Sequence, residues 1–308
     1  MMITPFIRDI LRKTMPFPVM EFLRRVYWRT IGRDHLSFFR ETERHALQLA
    51  PFCGGPRVSI LCSVWNTRPV LLRQMIRSVM TQSYQNWELV INNCSDPSHP
   101  EVDAILARYA AADSRITVYK MSNRGIALNT NAAADRASGE FIVLADHDDL
   151  LLPEALEHLV KAQCQKDADF VYADEYYYIM QYHVVWRKRK KPFSMKKLEE
   201  ENYVNHPVLI RKTLFSQIGG FRSGFEGSQD HDLYLRLLEK TSKTAYVPEP
   251  LYVWRIHQNS FSQSSVQSCI DSGKRALEEH FRRIGLAAVV NNYKNETRYK
   301  VSFLKQKS

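Results

Sequence analysis

Three aspartates stand within four residues, directly after the apolar run FIVLA. They are Asp146, Asp148 and Asp149. Carboxylates packed this closely repel one another unless a cation offsets their charge. Mg²⁺ and Mn²⁺ take oxygen ligands of this kind, often together with substrate phosphates. The D-x-D spacing therefore predicts a metal–diphosphate site. The alternative is that the acids stabilise the N-terminus of a following helix. One aspartate fits that role, but three within four residues fit it poorly.

Phosphatases of the haloacid dehalogenase type also place D-x-D after a strand. They require Thr two residues after the second aspartate, where this chain has Leu150. They also place the motif near the start of the domain, whereas here it follows four predicted strands. The pattern therefore disfavours a phosphatase.

Two further acids, Asp230 and Asp232, begin a leucine-rich segment that predicts a helix. An acid held beside a cleft can act as a general base. The alternative is a helix N-cap, for which Asp is well suited, and this motif alone favours the cap. Trp254, Arg255 and His257 form a third cluster, in which Arg or His could contact phosphate oxygens or a metal.

Strand and helix signals alternate from residue 57 onward. Apolar strands are predicted over 58–64, 87–91, 116–119, 141–145 and 170–173, with helices from about Thr67 and over 102–111, 126–137 and 153–163. This alternation predicts right-handed crossovers and an α/β fold with a mostly parallel sheet and helices on both faces. Ligands bind beyond the carboxyl ends of such strands, so the residues that follow each strand are expected to form the site.

The composition is that of a folded chain, with 308 residues, 44% of them hydrophobic and 25% charged. The net charge of +10 lies mainly in the two ends and in the loop 186–197, which has seven basic and no acidic residues. This distribution suits a protein that contacts an anionic surface but does its chemistry with carboxylates and a metal. Five scattered cysteines without a C-x-x-C pair favour free thiols in a reducing compartment.

Both ends of the chain are predicted to form basic helical arms. Residues 1–50 contain apolar positions at helical spacing between Val19 and Ile31, with arginines on the other faces. Such a helix either lies on an anionic membrane or packs on the main domain. A helix over 266–285 and a terminal strand or hairpin over 289–303 are predicted at the other end. Neither a membrane-spanning helix nor a signal peptide is expected.

Four blocks of the sequence, in order, resemble the family 2 glycosyltransferases of the inverting GT-A type. They are residues 58–91, 123–151, 219–237 and 251–257. The resemblance covers about two-thirds of the chain. It implies a Rossmann-like GT-A fold over 51–265, in which a nucleotide-binding half (about 57–150) continues into an acceptor half (about 151–265) and the sheet gains a few antiparallel strands. The N-terminal arm 1–50 and a C-terminal helix and tail 266–308 flank this domain.

The resemblance assigns donor-binding roles to residues that follow the first two strands. Ser63, Trp65 and Asn66 fall in the family's first nucleotide-binding turn, with Trp65 where Tyr is common, and Trp can stack on a base equally well. Asn92 and Asn93 replace two aspartates, one of which accepts the uracil N3–H in the family. Asn still accepts through its carbonyl oxygen but carries no charge, so uridine recognition is less firmly implied.

The resemblance also assigns the chemistry. Asp148 matches the metal ligand, and Asp146 matches the residue that reaches the ribose or a metal-bound water. Asp230 matches the catalytic base, and His257 matches a position that often contacts the diphosphate or the metal. Asp174 and Glu175 follow the fifth predicted strand, where the acceptor would approach, and are acceptor-site candidates. For Glu175 the sequence favours the alternative, an exposed strand end.

The implied activity is a metal-dependent, inverting transfer of a sugar from a nucleoside-diphosphate sugar, with a UDP-sugar favoured and Mn²⁺ or Mg²⁺ as cofactor. The implied acceptor is a hydroxyl of a glycan or lipid-linked molecule in surface polysaccharide or glycolipid synthesis. The enzyme would be peripheral on the cytoplasmic face of a membrane, where the basic segments contact anionic lipid. The alternative is a non-catalytic GT-A-like binding or scaffold protein, which the Asn92–Asn93 pair favours. No nucleic-acid partner is expected, because no recognisable nucleic-acid module is present.

Overall fold

The computed structural model describes residues 33–257, 265–293 and 296–304, so the amphipathic helix expected between residues 19 and 31 lies outside the described residues. The strands are β1 (Arg33–Asp34), β2 (Val58–Val64), β3 (Trp87–Asn93), β4 (Ile116–Lys120), β5 (Phe141–Leu144), β6 (Leu150–Leu151), β7 (Phe170–Ile179), β8 (Val184–Lys188), β9 (Val208–Arg211), β10 (Thr244–Ile256), β11 (Ala288–Tyr293) and β12 (Glu296–Phe303). The α-helices are α1 (His35–Ala46), α2 (Pro69–Met80), α3 (Pro100–Ala112), α4 (Ile126–Arg136), α5 (Ala155–Lys166), α6 (Met195–Leu198), α7 (Lys212–Gln217), α8 (Gln229–Leu238) and α9 (Val266–Arg283).

The first half of the sheet is parallel, in the order β4-β3-β2-β5. Its central strands β2, β3 and β5 are almost entirely buried, as expected for strands covered on both faces. One layer of the core lies between the sheet and α2, α3 and α5, and the other lies between the sheet and α4, α8 and α9. The predicted α/β class and the mostly parallel central sheet are confirmed.

The second half adds antiparallel strands. β9 pairs antiparallel with both β5 and β7, and β8 pairs antiparallel with β7. β10 lies parallel to β7 on its other side and also pairs with β6. The sequence prediction ended the fifth strand at Ala173, but β7 continues to Ile179. It can do so because the two acids in its middle, Asp174 and Glu175, have cationic partners and are buried.

The C-terminal residues pack on the second half of the sheet. Helix α9 lies against α8, and the β11–β12 hairpin contributes Val290 and Tyr299 to the same core layer. The Tyr299 hydroxyl donates to the Ile270 carbonyl at 3.0 Å and lies so close to Gly273 that a β-carbon there would clash with it. Among the described residues, no helix combines the length and the hydropathy needed to cross a membrane.

Candidate active site

The D-x-D loop follows β5 at the carboxyl end of the parallel sheet. The backbone N–H of Ala145 donates to the Leu61 carbonyl at 3.1 Å, which fixes the start of the loop beside β2. The Asp146 N–H donates to the Tyr252 hydroxyl at 3.1 Å. Asp149 is buried, and its carboxylate accepts the backbone N–H of Arg255 at 2.7 Å. Of the three aspartates, Asp149 therefore ties the loop to β10, whereas Asp146 lines the cleft at the carboxyl end of β5.

Arg255 is a buried structural residue. Its guanidinium donates to the carbonyl oxygens of Asp148, Asp149 (3.3 Å) and Leu71 (2.9 Å) and to the Gln74 side chain (2.5 Å). These bonds connect the D-x-D loop to α2. The sequence suggested that an arginine here could contact phosphate. Because Arg255 is buried and donates to four protein acceptors, its role is instead to position the D-x-D loop.

Asp148 and His257 lie in contact, with 2.9 Å between His257 Nε2 and Asp148 Oδ2. Burial alone would raise the pKa of Asp148. The charge of nearby His147 and the hydrogen bond and charge of His257 outweigh that effect and lower the pKa to about 2. Asp148 is therefore a carboxylate at neutral pH, which is the form that binds metal ions.

The donor set of this pair fits Mg²⁺ or Mn²⁺ only in part. One carboxylate and one imidazole are suitable ligands, and such ions often complete their coordination with waters and substrate phosphates. Within residues 33–257, 265–293 and 296–304, no group of three or more His, Cys, Asp or Glu side chains is arranged to hold a metal. Asp146, the third expected ligand, has its carboxylate near His206 instead. The pair Asp148–His257 fits an ion that binds together with a diphosphate.

His206 lies between the D-x-D loop and the expected base. Its Nε2 is 3.6 Å from Asp146 Oδ2 and 3.4 Å from Asp230 Oδ2, and its ring lies against Tyr252 with centroids 5.3 Å apart. Burial alone would lower the pKa of His206, but the two carboxylates outweigh it and raise the pKa to about 9. The three side chains line one cleft together with Ser63 and Gln229.

Asp230 lies in the first turn of α8, behind the N-cap residue Ser228. Its side chain is 19% exposed and faces the cleft, so the N-cap alternative does not describe it. Asp232, two residues on, is fully buried between Arg222 and Arg236. The two acids that begin this helix thus divide into one that is accessible and one that is structural.

Sequence reasoning missed His206. It follows no strand and belongs to none of the aligned blocks, so neither a pattern nor the resemblance singled it out. A cis peptide bond joins it to Pro207, and His-Pro directly before a β-strand is the one available signal. Pro at that position marks a turn but does not predict which side chain the turn brings forward.

The expected donor-binding residues lie at the ends of β2 and β3. Trp65 is half exposed, whereas Ser63 Oγ lies 3.0 Å from Thr130 Oγ1 at the edge of the cleft. Asn66 exchanges hydrogen bonds with Asp96: its side chain donates to the carboxylate at 2.6 Å and accepts the Asp96 N–H at 2.9 Å. These bonds join the loops after β2 and β3.

Asn92 and Asn93 are both buried and both bonded within the protein. Asn92 donates to the Asn129 carbonyl at 2.6 Å. Asn93 donates to the Asp103 carboxylate and accepts the Ser95 N–H at 3.1 Å. In this structure the Asn92 amide joins β3 to α4, and the Asn93 amide supports the loop after β3.

The acceptor-side candidates differ most from expectation. Asp174 is buried and accepts hydrogen bonds from Arg187, the Lys190 N–H and the Tyr246 hydroxyl. Glu175 is also buried, not at an exposed strand end, and lies 3.6 Å from Lys190 Nζ. Within the basic segment, Lys190 is buried and donates to the carbonyls of residues 204 and 206.

Comparison with known proteins gives a consistent result. The family model for Glycosyl transferase family 2 matches residues 59–225. An uncharacterized protein, y4gI, of Sinorhizobium fredii is 36% identical over 236 residues, which cover 74% of this chain and 26% of that protein. The O-antigen biosynthesis protein RfbC of Myxococcus xanthus is 34% identical over 244 residues, 77% of this chain and 19% of that protein. The chain thus spans about a quarter and a fifth of these relatives.

Two solved structures share the fold. TarS residues 1–349 of S. aureus, in complex with UDP-GlcNAc, superimposes with a TM-score of 0.56 at 13% identity and covers 71% of this chain and 65% of its own. The mannosyltransferase PcManGT of Pyrobaculum calidifontis, in complex with GDP-Man and Mn²⁺, gives 0.56 at 17% identity and covers 82% and 75%. At these identities the likeness establishes a shared architecture.

Proposed function

The chain belongs to glycosyl transferase family 2, and on that premise we propose that it transfers a sugar from a nucleoside-diphosphate sugar to an acceptor hydroxyl, with inversion, in surface polysaccharide or glycolipid synthesis. The observation that carries the proposal is the cleft at the carboxyl end of β5. There Asp230 and Asp146 lie on either side of His206, and Asp148 and His257 lie in contact farther along the D-x-D loop. O-antigen biosynthesis in one relative supports the polysaccharide context.

Asp148 and His257 would hold Mn²⁺ or Mg²⁺ together with the donor diphosphate. The chemistry that the ion supplies when bound is neutralisation of the charge that builds on the departing diphosphate. The low pKa of Asp148 keeps its carboxylate charged through the physiological range. Arg255 and Asp149 fix the loop that carries it, as supporting residues do around most metal ligands. The Mn²⁺ in the PcManGT complex supports this choice of ion.

Asp230 would act as the general base. It accepts the proton of the acceptor hydroxyl while that oxygen attacks the anomeric carbon and the bond to the diphosphate breaks. One displacement from the opposite face inverts the anomeric configuration and requires no covalent sugar–enzyme bond, unlike the two-step route of retaining glycosidases. His206 would hold Asp230 in place, since its Nε2 contacts that carboxylate and its ring is fixed against Tyr252.

The donor base would stack on Trp65, whose half-exposed ring stands at the end of β2. A UDP-sugar remains the favoured donor, and the UDP-GlcNAc bound by TarS supports it. The GDP-Man bound by PcManGT makes a guanosine donor the alternative. Asn66 and Asn93 would contribute to donor binding indirectly. Their side chains bond to Asp96 and Asp103 and so fix the backbone at the ends of β2 and β3.

Two substitutions test the proposal. Asp148→Ala should abolish the Mn²⁺-dependent rise in melting temperature on addition of UDP or GDP, because the ligand that anchors ion and diphosphate is lost. Asp230→Asn should keep that rise but lower transfer at least a hundredfold, as for loss of a general base. The matched control is Asp135→Asn, which changes an exposed acid of α4.

Transfer by Asp230→Asn at the rate of the unsubstituted protein would refute the assignment of the base. A folded protein that binds no nucleoside diphosphate, with or without Mn²⁺, would instead favour the non-catalytic scaffold. Peripheral attachment to the cytoplasmic face of a membrane through the basic segments belongs to the same proposal, and co-sedimentation with anionic vesicles tests it.

A further inference from the structure

Strands β8, β7 and β10 form a wall that extends beyond the parallel sheet. On one side, β7 pairs with β9 over Phe170–Tyr172 and with β8 over residues 175–179; on the other side it pairs with β10. One face of the wall is covered by α1: the ring of Phe38 lies 4.8 Å from that of Tyr176, and Phe39 lies 5.3 Å from Tyr178. The opposite face therefore carries the residues that alternate with these tyrosines.

That opposite face carries an aromatic row across all three strands. Trp186 of β8 and Trp254 of β10 are both in register with Tyr177 of β7, so the three rings share a face. Ring centroids are 5.6 Å apart for Tyr177 and Trp186 and 5.1 Å apart for Tyr177 and Trp254. All three side chains are half-buried. We name these residues the aromatic row.

The aromatic row continues directly from the candidate active site. On the same face, one step back along the strands, Glu175 and Tyr252 are paired in register. The Tyr252 hydroxyl accepts the Asp146 N–H, and its ring lies against His206. Two residues of a strand span about 6.8 Å. The row thus lies about the length of one hexopyranose unit from Tyr252, which contacts the cleft residues Asp146 and His206.

We propose that the aromatic row of Trp186, Tyr177 and Trp254 is a stacking platform for a sugar ring of the acceptor, which rests on the proposed function. The C–H groups on the face of a hexopyranose pack against aromatic faces, while its hydroxyls need polar partners at the rim of the site. A sugar held one unit away from the cleft would direct the hydroxyl of its neighbour toward Asp230.

The surroundings of the row favour a sugar over a lipid chain. Lys188 is half-buried on the same face, in register with Glu175 of β7, so a cationic side chain borders the rings. A lipid chain offers no hydrogen-bond acceptor to this ammonium group, whereas sugar hydroxyls can accept hydrogen bonds from it. The occupant of the aromatic row is therefore a sugar ring of the acceptor and not a lipid chain.

The test is a titration with methyl glycosides and disaccharides of glucose, galactose, mannose, rhamnose and N-acetylglucosamine. Binding is followed by saturation-transfer NMR, with and without the nucleoside diphosphate that raises the melting temperature. Trp186→Leu should weaken glycoside binding about tenfold, the scale of one lost aromatic contact. Tyr176→Leu, a matched change on the opposite face of the same wall, should leave it at the original level.

Tyr177→Leu provides a second variant if Trp186→Leu does not fold, and the melting temperature identifies that case. Equal affinity in Tyr176→Leu and the two row variants would overturn the proposal, as would the absence of any glycoside signal from the unsubstituted protein. Loss of binding to phosphatidylcholine–phosphatidylglycerol vesicles with unchanged glycoside binding would assign the row to lipid and overturn it too. Failure of the proposed function is seen separately, as a missing nucleotide response.

Discussion

Replacement of Arg255 by methionine tests whether a buried cation holds the D-x-D loop in place. Methionine keeps much of the side-chain volume but removes every donor. The carbonyls of Leu71 and Asp148 and the Gln74 side chain then lose their hydrogen bonds, and the buried Asp149 loses the adjacent positive charge. Removing one partner of a buried charged network typically costs about 3–5 kcal/mol.

The same substitution should also weaken the metal-dependent nucleotide response. Arg255 does not face the cleft, but it fixes the backbone that carries Asp148, and loss of such supporting residues typically lowers metal affinity about 10- to 100-fold. Urea unfolding measures the first effect, and titration of Mn²⁺ in the presence of UDP or GDP measures the second. The control is Arg73→Met on the exposed side of α2.

An unfolding free energy of Arg255→Met within about 1 kcal/mol of the control would refute the first part of the reasoning, since it would mean that the four acceptors find other partners. Unchanged Mn²⁺ affinity in a destabilised variant would refute the second part. The remaining contacts of the loop, among them those of Asp149 and Tyr252, would then be sufficient to hold it.

Three further predictions follow from the described contacts. Gly273→Ala should lower the free energy of unfolding by about 1–3 kcal/mol in urea, because the added methyl group meets the Tyr299 hydroxyl. Burial alone would raise the pKa of Glu239, but His280 and Arg283 lower it to about 2, so its stabilising effect is present above about pH 4.5 and is lost as the pH falls toward 2. Glu239→Gln should therefore unfold about 2 kcal/mol more easily at pH 7, with the difference shrinking below pH 4 in matched urea titrations. Removal of divalent ions with EDTA should abolish the thermal shift caused by a nucleoside diphosphate, and Mn²⁺ should restore it.

Local patterns in the sequence predicted most of the fold. Alternation of apolar runs with helical periodicity predicted the mostly parallel sheet to which β2, β3 and β5 belong. The acids after β5 marked the carboxyl end where the cleft lies. These features are local, because burial of a strand or of a helix face is written into consecutive residues. The same holds for the C-terminal helix and the strands that follow it.

The arrangement of the site and the burial of charged side chains depend on contacts between segments that are distant in the sequence. Asp149 pairs with Arg255 across 106 positions, and His206 meets Asp146 and Asp230 from a turn that no periodicity marks. Glu175 and Lys190 form a buried pair, whereas the sequence also allowed an exposed strand end at Glu175. Whether a charged side chain is buried depends on the partner that the fold supplies, and consecutive residues carry no record of that partner.

The register between β10 and β7 also determines which side chains reach the site. The pairing of β10 with β7 shifts between Val247 and Tyr252, and each single-residue shift moves a strand's side chains to the opposite face. That irregularity turns Tyr252 toward Asp146 and brings Trp254 into line with Tyr177. The sequence by itself determined which strands form and where the carboxylates follow them. Only the tertiary structure decided which side chains share the cleft, because strand register and bulges depend on packing of the whole sheet.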